Sequence, residues 1–123
     1  MILKLEVIES LSKRLELPYT GIEQDWDIEM ANPDRIEEFL SYLKNTELDK
    51  SEKIAMMSLI IASFEDLLNE DETNERQCDL WNNIKIMLES DFELFSDIIT
   101  YWSLIDEKEN VFAITHYIRK VKK

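Results

Sequence analysis

The stretch Lys50-Ser51-Glu52-Lys53-Ile54-Ala55-Met56-Met57-Ser58-Leu59-Ile60-Ile61-Ala62-Ser63-Phe64-Glu65-Asp66-Leu67-Leu68-Asn69 decides the fold. Ile54, Met57, Leu59, Ile60, Ile61, Phe64, Leu67 and Leu68 surround the middle of a helix on several sides. Such a helix must be covered all round, so the pattern predicts the central helix of a core. Asp49 and Glu52 form a capping box at its start. The longest apolar run, Ile54 to Phe64, carries Ser58 and Ser63 and is too short to span a bilayer.

Working back from this helix, Asn32-Pro33-Asp34 reads as a restart signal: Asn caps, Pro takes the first helical position and acids fill the first turn. The helix that follows runs to about Asn45, with Ile36, Phe39, Leu40 and Leu43 inward. In residues 22–31, Ile22, Trp26 and Met30 lie four apart, which fits a short helix with one apolar edge. The acids Glu23, Asp25, Asp27 and Glu29 at every second position also fit a strand, and the helix is preferred. Residues 2–16 predict a first amphipathic helix on Ile2, Leu5, Ile8, Leu11 and Leu15, stopped by Pro18 and Gly21.

Working forward, residues 70–75 form an acidic loop, and a helix over about 76–89 turns Leu80, Ile84, Met87 and Leu88 inward. Asp91 to Leu104 predicts another, with Phe92, Phe95, Ile98, Ile99 and Trp102 buried. A charged turn covers 105–110, a short extended segment is allowed near 111–114, and Thr115 caps a last helical turn or two. One glycine and two prolines leave few residues for the tight turns of sandwiches and barrels. The expectation is an all-α compact bundle of five or six helices, one acidic helical domain over residues 1–123.

Charge bounds the function. The chain carries 27 acids against 14 bases, net −13, a field that repels nucleic acid and anionic membranes and favours a basic protein partner. Residues 16–52 hold 11 acids and 3 bases, and residues 65–97 hold 11 acids and 2 bases. Acid combined with aromatic side chains suits a grip on a basic face, so Glu23, Asp25, Trp26 and Asp27 in one block are the candidate partner-binding residues. Glu65, Asp66, Glu70, Asp71, Glu72 and Glu75 join them in the other block. Core packing is the competing explanation for Trp26 and Trp81. A solvated face is the competing one for the carboxylates.

No catalytic constellation is legible. The lone histidine, His116, lacks metal-ligand spacing to any partner, and the lone cysteine, Cys78, cannot form an internal disulfide. A single glycine excludes a Gly-rich phosphate loop, and no calcium-loop spacing fits residues 65–75. The expectation is therefore a binding protein without catalytic residues, metal or cofactor. It is placed in the cytoplasm because acids interrupt the apolar run a signal peptide needs, and it is a monomer or weak homodimer.

Seven groups of residues carry a resemblance. Pro18-Tyr19-Thr20-Gly21 is followed by Gln24-Asp25-Trp26-Asp27-Ile28-Glu29 and by Asn32-Pro33-Asp34-Arg35-Ile36-Glu37-Glu38-Phe39. Lys53 to Phe64, Leu80-Trp81, Tyr101-Trp102 and Phe112-Ala113-Ile114-Thr115 with Ile118-Arg119 complete the set. Together they resemble the small bacterial immunity proteins encoded beside polymorphic toxins and contact-dependent inhibition systems. The resemblance implies a cytoplasmic antidote that blocks a cognate toxin domain, often a nuclease. It supplies no matched functional residues. The alternatives are a regulatory or adaptor module, including a nucleic-acid mimic that binds another basic protein, and a metal-dependent enzyme built on a carboxylate cluster.

Overall fold

The computed structural model describes residues 3–70, 75–104 and 112–123. These residues are all-α: seven helices, no strand. Two compact units emerge, Met1–Ser63 and Phe64–Lys123, and their boundary falls inside one helix, α4 (Lys50–Glu70). Every residue from 55 to 64 of α4 is buried, so the helix predicted to be central is covered on all sides through its middle.

In the first unit, α1 spans Leu5–Arg14. It ends four residues ahead of Pro18, through a backbone device rather than a breaker residue. Glu16 takes a left-handed conformation (φ 53°), the Leu17 amide donates to Ser12 O at 2.8 Å and the Glu16 amide to Lys13 O at 3.3 Å. Leu11 and Leu15 are buried, but Leu5, expected on the apolar stripe, is 61% exposed. The segment left open between helix and strand contains a single helical turn, α2 (Trp26–Glu29).

Asn32 accepts the Asp34 amide at 3.0 Å, and Pro33–Arg35 forms a 3₁₀ turn leading into α3 (Ile36–Asn45). All four residues expected inward on α3 are buried. The Asp49–Glu52 capping box is reciprocal: Glu52 N donates to Asp49 Oδ1 at 2.8 Å and Asp49 N to Glu52 Oε1 at 3.1 Å. Ser63 explains one polar break in the apolar run. Its hydroxyl donates to Leu59 O at 2.8 Å and accepts the Asn32 amide at 2.9 Å, fixing the entry to α3.

The second unit holds the end of α4, then α5 (Glu75–Ser90), α6 (Ser96–Ser103) and α7 (Thr115–Ile118). Leu80, Ile84 and Leu88 are buried as expected, while Met87 is half-buried. The helix expected from Asp91 begins five residues later, because 91–95 form turns; Asp and Phe are weak helix formers, and Phe92 stays half-buried. Phe64, Trp81 and Tyr117 form an aromatic cluster with centroid separations of 5.4 to 6.0 Å.

Two further expectations are corrected here. The described part of 111–114 is turn, not extended chain. Thr115 does not cap α7: its hydroxyl donates to Trp102 O at 2.9 Å, and the neighbouring amides are satisfied by Glu65. The charged turn predicted at 105–110 lies outside the described residues, as does most of the acidic loop at 70–75.

Candidate partner-binding surface

The candidate residues fall into two groups, one in each unit. In the first, the chain leaves α1 and turns over residues 17–25. The Glu23 carboxylate accepts the Thr20 amide at 3.1 Å, the Thr20 hydroxyl at 2.7 Å and the Gly21 amide at 3.1 Å. Gly21 sits at φ 98°, where a side chain would be strained. These bonds, the Thr20 hydroxyl foremost, hold the Glu23 carboxyl below its ordinary range. Glu23 is thus a clamp on its own turn as well as a surface charge.

Asp25 is exposed, and its amide donates to Glu29 Oε2 at 2.9 Å, fixing the start of α2. Asp27 is half-buried, and burial pushes its carboxyl up. Trp26 requires a correction. It is 2% exposed, and its indole N–H donates to Ser12 Oγ at 2.8 Å, so it belongs to the core and offers a partner no surface.

In the second group Glu65 has a structural task that sequence spacing could not show. Its two carboxylate oxygens accept the Ile114 amide at 2.8 Å and the Ala113 amide at 3.2 Å, pinning the chain at the start of α7. Asp66, Glu70 and Glu75 are exposed. Burial, with the charges of Glu65 and Glu70 adding to it, raises the Asp66 carboxyl. Asp71 and Glu72 lie outside the described residues. Trp81, like Trp26, is a core residue.

Sequence reasoning passed over two exposed apolar side chains near the first group in the chain. Ile22 was grouped with Trp26 and Met30 on one helical edge, yet α2 starts only at Trp26, so Ile22 precedes it and is 85% exposed. Ile28 is 48% exposed. The available signal was Thr20-x-x-Glu23 beside Gly21, half of a capping box with no helix attached. Nearby, a depression of about 340 Å³ lies between α1 and the turn, lined in part by Glu9, Lys13, Leu17 and Tyr19.

Among the described residues no three His, Cys, Asp or Glu side chains gather where they would hold a metal. His116 and Cys78 are both exposed. Among those residues, too, no helix is long and apolar enough to cross a membrane. Compared with protein-family models, curated proteins and solved structures, the chain matches none.

Proposed function

We propose that this chain is a toxin-neutralising immunity protein that binds a basic toxin domain, a nuclease in the leading case, and blocks it. The observation carrying the reading is the charge surplus. Paired one to one, 14 bases leave at least 13 of the 27 acids without a cation of their own chain. Several of the bases are also committed to the fold: Arg35 donates to Leu15 O at 2.7 Å, and Arg119 to Ser103 O and Leu104 O, both at 2.7 Å. The surplus therefore favours cations supplied by a partner. A nucleic-acid-cleaving domain needs a basic surface to hold its substrate, and an acidic protein both finds that surface quickly and covers it.

Asp27 and Asp66 sharpen the reading. Both have carboxyls raised by burial, and an arriving cation favours their charged form.

The test is titration of the purified chain with the product of the reading frame immediately upstream of its gene, at low and high salt. Tight binding that weakens with salt, together with rescue of cells expressing that product, supports the reading. Binding without any toxicity to rescue would make the chain a regulatory module instead. Combined charge reversal at Asp25, Asp66, Glu70 and Glu75 should abolish salt-sensitive binding, and unchanged affinity would sink the proposed surface.

A further inference from the structure

We infer that Ile22 is the apolar anchor of the partner complex, seating in a pocket ringed by Lys and Arg on a basic protein; this rests on the binding role proposed above. Among the described residues it is the most exposed large hydrophobic side chain, at 85%, against 63% for Ile86 and 61% for Leu5. Burial of this isoleucine against a partner would recover the transfer free energy that its exposure forgoes.

The residue is also held ready. On its N-terminal side the Glu23 carboxylate binds Thr20 and Gly21 through three hydrogen bonds of 2.7 to 3.1 Å. On its C-terminal side Trp26 is buried and tied to Ser12 at 2.8 Å. Ile22 thus projects between two fixed points. A side chain whose backbone is already set loses less freedom on binding, which favours affinity.

The surroundings specify the occupant. Asp25 and Glu29, three and seven positions after Ile22, are exposed, Ile28 is 48% exposed, and residues 16–52 hold 11 acids against 3 bases. An apolar centre with a charged rim is the anatomy of a protein–protein hot spot. The rim's sign calls for cations. A second copy is a poor fit, because a two-fold contact would set this face and its carboxylates against themselves. Nucleic acid and anionic lipid are repelled for the same reason.

The experiment measures association and dissociation rates with the upstream gene product for the parent chain, Ile22→Ala, Ile86→Ala and Asp25→Asn/Glu29→Gln. Removing three carbons from a buried anchor raises Kd about fifty-fold, nearly all through faster dissociation. Ile86→Ala binds as the parent does. The double amide variant slows association and flattens its salt dependence while leaving dissociation near the parent value. Ile22 is so exposed that its replacement leaves the melting temperature unchanged, which excludes misfolding as the cause. If the parent binds and Ile22→Ala binds equally well, the anchor is wrong and the proposed function stands. If the parent binds nothing at any salt, both fall. A parent dimer in sedimentation that Ile22→Ala dissolves would reassign the residue to self-association and overturn the inference.

Discussion

Replacing Glu65 tests whether an acid from the candidate surface belongs to the fold instead. Its carboxylate is the acceptor for the Ala113 and Ile114 amides, 48 and 49 residues along the chain. Hydrogen bonds to a charged group contribute about 1.5 to 3 kcal/mol each, and the shared, part-buried setting argues for the lower end. Glu65→Ala removes both and lets water reach the amides in part, so a loss of about 2 to 3 kcal/mol is expected. For a chain of 123 residues that lowers Tm by about 8 to 12 °C. Glu65→Gln keeps one acceptor and turns an NH₂ toward the other amide, for a loss of about 1 to 2 kcal/mol. Native-state hydrogen exchange at Ala113 and Ile114 is the direct readout, with urea denaturation for the global value. Both amides should lose protection in Glu65→Ala while those of α1 and α3 keep theirs. Unchanged protection and stability would refute the staple, and weakened partner binding in such a variant would return Glu65 to the interface.

The Trp26–Ser12 bond, buried at 2.8 Å, makes Trp26→Phe cost about 2 kcal/mol in urea denaturation, and the double variant Trp26→Phe/Ser12→Ala should lose less than the sum of the two single variants; strict additivity would disprove the contact. Glu16, exposed, holds a positive φ of 53°, so Glu16→Gly is expected to raise stability by about 0.5 to 1 kcal/mol, read as an increase in Tm. Glu52 and Glu38 have carboxyls pulled down by Arg14 and Arg35, so their contribution is present above the ordinary carboxylate range and is lost as pH falls through their folded values. Asp27 and Asp66, pushed up by burial, act oppositely and gain stability as they take up protons. Acid titration of Arg14→Ala should show a shallower loss on the acid side, and an unchanged profile would remove the Arg14–Glu52 pair from the account.

What was legible in the sequence was local chemistry. Asn32-Pro33-Asp34 and Asp49…Glu52 act within three residues, and both formed as read. The inward residues of α3 follow from period alone. Illegible were choices made by distant partners. Core packing was a legible reading of Trp26, but its acceptor, Ser12, lies fourteen positions earlier and no local signal marks it. Glu65 looked like one more solvated acid because nothing near it in the chain marks amides beyond position 110 as its target. The end of α1 was read within two residues, but assigned to Pro18 and Gly21, because a glutamate, not a glycine, takes the left-handed position there.

The division between Ser63 and Phe64 bears on inheritance. Recombination swaps pieces of proteins most safely at loops, where a join disturbs no repeating geometry. Here the seam lies within twenty-one residues of continuous helix, and its flanks are buried from 55 to 64. A crossover there would have to preserve helical phase and core shape together, to within a single residue. The two acidic groups, Glu23 to Glu29 on one side of the seam and Glu65 to Glu75 on the other, are thereby bound to a common lineage. Change in the two groups is then expected by point substitution at exposed positions rather than by exchange of halves.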